Sequence, residues 1–247
     1  MNKVLKSAVA IAVLAMLTAC GGGGSSGTSS TPTPTPTPTP IASIKVDEIF
    51  RSIATTTKSW GGLRRSDGNN MYASLSIFSA ESYPFVVNGA SKPTASSSEV
   101  ALSLFTPDGR LFDRWRYKIH YDGALKPTGV GFIGITKSDC FAPTSVNTLP
   151  ASSNSSGVLM SGLVASDYAE TFNAGVYAHY CRTTASSPPD NVEWSVIDGT
   201  PYPYFCLTFP RSVWFAKTRA CFMSNGAGGF SDRAVLTVLD VDYKTSP

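Results

Sequence analysis

The chain has 247 residues, 42% hydrophobic, 15% charged and 11% aromatic, with 21 Gly, 17 Pro and 5 Cys. That composition excludes a collagen, a coiled coil and a polytopic membrane protein, and it fits one globular domain with unstructured attachments. The formal net charge is +3, but Lys3 and Lys6 fall in a segment expected to be removed, which leaves 18 basic and 17 acidic residues. So balanced a chain does not advertise nucleic acid as a partner, since phosphate binding needs a clustered basic surface.

In chain order, MNKVLKSAVAIAVLAMLTAC comes first, with two lysines ahead of an uncharged apolar stretch from Ala8 to Leu17. A bilayer core needs about 20 apolar residues, so this stretch is too short to span one and reads as a secretory signal over residues 1–19. The tetrapeptide Leu17-Thr18-Ala19-Cys20 resembles the lipobox of bacterial lipoprotein precursors. The resemblance implies that the Cys20 thiol receives a diacylglycerol, that cleavage falls just before it, and that the new amine is acylated, for example with palmitate. Cys20 is then the first mature residue and the anchor to a membrane, held stably because more than one acyl chain is buried. Gly21 follows where an Asp would retain the product in the inner membrane. The expected location is therefore the outer membrane of a Gram-negative cell, on its periplasmic or its surface side.

Residues 20–40 read as a disordered tether. GGGGSSGTSS (21–30) has no side chain that builds a core, and the five Thr-Pro repeats of residues 31–40 forbid helix and sheet. The repeats favour an extended rod of about 31 Å, and the glycine-serine coil adds roughly 17–19 Å.

Residues 41–247 read as a single β-rich domain, with Ala142–Gly157 as the candidate long loop. Ile44–Thr57 alone has helical spacing, with Ile44, Val46, Ile49, Phe50 and Ile53 on one side. Short alternating or aromatic runs bounded by turn residues follow at Met71–Phe78, Glu99–Phe105, Leu111–Tyr121, Val130–Ile135, Val158–Ala165, Phe172–Cys181, Val192–Ile197, Tyr202–Phe209, Val213–Met223 and Ala234–Tyr243. The expected fold is an all-β antiparallel sandwich or barrel of about nine strands, with one short N-terminal helix. In Leu111–Tyr121 the odd positions, Asp113 apart, give an apolar, aromatic face, and the even positions give Phe112, Arg114, Arg116, Lys118 and His120. Thr106-Pro107-Asp108-Gly109 is a turn, and a four-residue loop would set Leu104 opposite Leu111 and Val100 opposite Trp115.

Candidate chemistry is sparse. The two histidines, His120 and His179, lie in no HExxH, and GxSxG, Walker and GxGxxG patterns are absent. No metal or cofactor is expected. Asp67-Gly68-Asn69-Asn70 reads as a plain turn, and Asp240 and Asp242 as solvated carboxylates. Arg114, Arg116, Lys118 and His120 form a candidate anion-binding face, whose plain alternative is the solvated side of a sheet. Trp60, Trp115, Trp194 and Trp214 read as core residues or as stacking platforms for sugars. Cys140, Cys181, Cys206 and Cys221, an even number outside the reducing cytosol, read as two disulfides. Of three connectivities, joining chain neighbours favours Cys140–Cys181 with Cys206–Cys221. A tight turn at Pro210–Ser212 would set Cys206 opposite residue 215 or 216, so the second bridge needs an irregular connection. Two functional readings stand: a non-enzymatic binding or structural envelope module meeting a glycan, an envelope component or a protein, and a tethered hydrolase of envelope or extracellular polymers. A His within reach of a Ser or Asp in an open cleft distinguishes the second.

Overall fold

The computed structural model describes residues 42–173 and 176–246. The signal segment, Cys20 and the tether lie outside the described residues. Helix α1 (Val46–Thr55) precedes β1 (Lys58–Arg65), β2 (Tyr72–Ala80), β3 (Phe85–Val87), β4 (Ala90–Lys92), β5 (Ser96–Phe105), β6 (Leu111–Tyr121), β7 (Pro127–Ile133) and β8 (Ser138–Val146). There follow β9 (Ser156–Ala165), β10 (Tyr168–Asn173), β11 (Val176–Cys181), β12 (Pro189–Ile197), β13 (Tyr204–Phe209), β14 (Thr218–Ser224), β15 (Phe230–Val238) and β16 (Val241–Lys244). Residues 40–247 form a compact unit that holds all these elements. The fold is all-β, as its alternation predicts, but the expected count of about nine strands is too low.

Twelve strands close into an antiparallel barrel in the order β1-β16-β15-β14-β13-β12-β9-β8-β7-β6-β5-β2, and β2 pairs back to β1. One hydrophobic core fills the barrel, built from one face of each strand: Ala73, Leu75 and Ile77 of β2, Trp115, Tyr117, Ile119 and Tyr121 of β6, Phe205, Leu207 and Phe209 of β13. Because neighbouring strands alternate in direction, alternate connections share an end. Helix α1 covers one end. Its stripe Val46, Ile49, Phe50, Ile53 joins the core, while Arg51 pairs with Asp47 and Lys45 with Glu48 on the opposite side. Ser52 donates to the Gly228 carbonyl at 2.9 Å and Ile44 pairs with Ser153, which ties the helix to the connections of that end. At the other end, here the rim, lie the connections 66–71, 106–110, 134–137, 210–217 and 239–240.

The β5–β6 hairpin departs from expectation by two residues. Gly109 takes φ 86°, its amide donates to the Thr106 carbonyl at 3.0 Å, and Thr106 donates to Arg110, giving a three-residue loop. Left uncorrected, that loop would put Leu102 opposite Arg114. An irregularity at Phe112 inserts one residue, so Leu102 faces Trp115 and Val100 faces Tyr117. Burial therefore keeps the apolar faces matched, and the bulge at Phe112 supplies the parity. Part of the expected loop Ala142–Gly157 is also strand, since β8 continues to Val146.

The remaining four strands form a small sheet, β10-β11-β3-β4, laid on the outer face of β6–β8. Phe85, Tyr168 and Cys181 pack there against Ile133, Cys140 and Ala142. The disulfide Cys140–Cys181 joins this sheet to the barrel wall, and Cys206–Cys221 crosslinks β13 to β14. Cys206 and Cys221 are direct cross-strand partners because residues 210–217, a long connection rather than a tight turn, separate their strands.

The small sheet approaches so closely because the wall beneath it is bare. A Cβ at Gly129 would overlap the Phe85 ring, and one at Gly131 would overlap the Tyr168 ring. Phe85 is fully buried and stacked on His120, so it has nowhere to move. Gly129→Ala and Gly131→Ala should each cost about 1–3 kcal/mol by overpacking. Gly61→Ala, where the new atom meets nothing within 4 Å, should stay within about 0.5 kcal/mol in the same urea unfolding experiment.

Candidate functional site

The polar even positions of β6, Arg114, Arg116, Lys118 and His120, share one face, as the alternation requires, but they do not share an environment. Arg114 is exposed, Arg116 is 35% exposed at its side chain, Lys118 is 7% exposed and His120 is fully buried. The expected solvated stripe thus ends halfway along the strand, where the small sheet covers it. Strand β5 sets a partner opposite or beside each group. Ser103 accepts from Arg114 Nε at 3.3 Å, Glu99 accepts from Arg116 at 3.2 Å and faces Lys118 at 4.0 Å, and Ser97 lies 3.1 Å from His120 Nδ1. From above, β10 and β11 add Glu170 and His179. Lys118 Nζ reaches Glu170 Oε1 at 3.4 Å and His179 Nε2 at 3.5 Å, and His179 Nδ1 lies 3.4 Å from His120 Nε2.

Two neutral imidazoles give this chain of contacts one consistent direction, with Glu170 Oε1 also 3.6 Å from His179 Nε2. An ammonium only donates, so His179 Nε2 accepts from Lys118. His179 Nδ1–H then donates to His120 Nε2, and His120 Nδ1–H donates to Ser97 Oγ. Both imidazoles are neutral in this arrangement, and Arg116 and Lys118 balance Glu99 and Glu170. Burial, reinforced by His179 and Lys118, holds His120 well below its ordinary 6.5. Burial and Lys118 also push His179 down, to about 4, although Glu170 pulls the other way. Ser97 and His120 form a serine–histidine pair, but Ser97 is 2% exposed and His120 fully buried. No substrate reaches that hydroxyl beneath the small sheet, so the pair is not the open cleft that a hydrolase needs.

The exposed apolar side chains are distributed unevenly. Among the described residues seven large ones are exposed: Leu111, Phe112, Ile135, Val213, Trp214 and Leu239 lie at the rim, and Tyr202 lies at the helix end. The 210–217 connection crosses the rim. Phe215 turns inward against Trp115 and Phe132, and Trp214 turns outward beneath the Lys137 ammonium, 4.5 Å from its ring. The Trp214 amide donates to the buried Asp139 carboxylate at 3.1 Å, which pins the loop to β8. Trp115, Arg211–Lys217, Leu239 and Asp240 border a concavity of about 480 Å³. A second concavity of about 520 Å³ on the outer wall, lined by Trp194, Glu193, Thr208, Arg219 and Thr237 among others, shares Lys217 and Asp240 with it.

The other sequence candidates resolve into local structure. Asp67 accepts from the Asn69 amide and pairs with Arg65, as a turn residue does. Asp242 is held by Thr237 and Lys244, and Asp240 is exposed. Trp60, Trp115 and Trp194 belong to the core, whereas Trp214 stands out at the rim. Among the described residues no group of three or more His, Cys, Asp or Glu is arranged to hold a metal ion.

Burial divides the cationic residues by consequence. Lys118→Met strips a buried cation from Glu99 and Glu170 and should cost about 3 kcal/mol. Arg114→Gln, on the exposed part of the same face, should stay within about 0.5 kcal/mol. Neutralising the face as a unit is therefore not neutral for stability, and thermal unfolding of the two single variants checks the division. The histidine pair adds a pH dependence. The folded state keeps both imidazoles neutral, while the unfolded chain protonates them near 6.5. Their contribution is complete above pH 6.5 and is lost as pH falls from there toward 4. Urea midpoints measured between pH 7 and 4.5 should fall less steeply in His179→Gln than in the parent chain.

Set against known proteins, the chain matches no family model, no curated sequence and no solved structure.

Proposed function

We propose that the chain is an exported lipoprotein, held through lipid on Cys20 at the outer membrane of a Gram-negative cell, whose barrel is a non-enzymatic binding module. The observation that carries the binding role is the gathering of Leu111, Phe112, Ile135, Val213, Trp214 and Leu239 at the rim. Soluble proteins rarely leave so many large apolar side chains at one end of the molecule unless that end meets something. Export is supported by the lipobox at Leu17–Cys20 and by the two disulfides, which suit an oxidising compartment.

The anchoring half of this reading is tested with Cys20→Ser. The wild-type chain should partition into detergent and resist alkaline carbonate, and the variant should move to the aqueous phase and be stripped by carbonate. A carbonate-resistant Cys20→Ser protein would overturn it. The binding half is tested in the lipidated chain with Phe112→Ser and Val213→Ser together, which should abolish the module's interaction while leaving membrane fractionation and unfolding temperature unchanged.

A further inference from the structure

We infer that the rim is a membrane-docking surface, and that its occupant is a bilayer carrying anionic lipid. The inference rests on the rim being the contact surface and adds what that surface contacts. Three features choose a bilayer over a protein.

The first is how the apolar groups are presented. They come from four separate connections: Leu111 and Phe112 after the 106–110 turn, Ile135 from 134–137, Val213 and Trp214 from 210–217, and Leu239 from the β15–β16 turn. Their exposure runs from 44% at Leu111 to 70% at Leu239. Separate single wedges make a poor protein interface, which needs a close-packed apolar centre. A fluid lipid surface accepts each wedge independently and requires no matching shape.

The second is charge. The same connections carry Arg110, Lys137, Arg211 and Lys217 against Asp108 and Asp240. Arg110 is engaged by Asp108 and Lys217 by Glu193. Among the described residues, neither Lys137 nor Arg211 meets a carboxylate in an ion pair, and both are exposed. Cations interleaved with apolar tips suit lipid phosphates, since their stems lie along the apolar surface while the charges stay at headgroup level.

The third is Trp214. Its ring lies at the rim with Lys137 over it, and an amphipathic indole beside a cation is a typical arrangement at a membrane interface.

The test uses residues 21–247, which contain the whole compact unit and both disulfides but no lipid. Trp214 is 51% exposed, and Trp60, Trp115 and Trp194 are below 10%, so a change in tryptophan emission on adding vesicles reports the rim. Vesicles of phosphatidylcholine with phosphatidylglycerol should sediment the protein and shift its emission to the blue. Phe112→Ser/Val213→Ser/Leu239→Ser, which keeps Trp214 as the reporter, should partition at least tenfold more weakly with an unchanged circular dichroism spectrum. Lys137→Glu/Arg211→Glu should lose the preference for phosphatidylglycerol over pure phosphatidylcholine vesicles. Failure of the wild-type chain to bind at millimolar lipid, or equal binding by the triple variant, overturns the inference. If the wild-type chain instead self-associates in sedimentation, and the triple variant does not, the lipid is refuted while the rim remains the contact surface. If the triple variant matches the wild type in both measurements, the rim reading fails as well.

Discussion

A closed sheet of twelve strands must be filled. Eight strands enclose a space that ordinary side chains just occupy, and the diameter grows with strand number. Here the filling is aromatic: Tyr117 stacks on Phe209 with ring centroids 4.0 Å apart and meets Phe132 edge-on, while Trp60 packs against Phe222 and Phe230. Helix α1 supplies the plug at one end through Ile49, Phe50 and Ile53. At the other end Phe215 does the same from a loop, and the neighbouring Val213 and Trp214 consequently face outward. The exposed rim is thus partly a by-product of how the barrel is stoppered.

Closure also determines what happens on the outer wall. The second half of β6 is covered on both faces, by the core inside and by the small sheet outside, yet its outward positions Lys118 and His120 are a cation and an imidazole. The conflict is resolved by register. Glu99 stands opposite Lys118, and Ser97 stands opposite His120, so each polar group that the small sheet buries meets a partner already in place. A buried network of this kind contributes little net stability compared with an apolar interface, and its removal one group at a time is costly. Its effect is to define the position at which the small sheet docks, and the Cys140–Cys181 bridge holds the same junction covalently.

The parts of this structure legible in the sequence are those whose pattern is local. Strand β6 coincides with the run Leu111–Tyr121 because eleven residues alternate, and α1 follows from apolar residues at spacings of three and four. Strand β1 was not legible, since Gly61 and Gly62 interrupt the alternation and a bulge between Trp60 and Leu63 restores it. Strands β3 and β4 are too short to show a period, and Ala234–Tyr243 is two strands turned at Leu239 and Asp240, both in positive φ. The burial of Lys118 and His120 was hidden for a different reason. Their cover comes from β3, β10 and β11, and no local pattern reveals that a polar face will be roofed by remote segments. The rim was illegible in the same way, because Val213 and Trp214 sit in a run that otherwise reads as strand.

The barrel is sealed where its first and last strands meet, and this seam is slight. Among the described residues Arg64 with Lys244 and Arg65 with Tyr243 are in register across it, Ser66 adds one backbone hydrogen bond to Asp242, and the first pair sets two cations opposite each other. Contacts so distant along the chain form late, after the hairpins between neighbours. A chain that folds from its first strand onward therefore cannot shut the sheet until β16 is in place. Until β16 arrives, β1 and β15 are both free edges, able to recruit strands from other chains. The four-residue strand Val241–Lys244 thus acts as the latch of the assembly: without it the barrel would be an open sheet and not a smaller barrel.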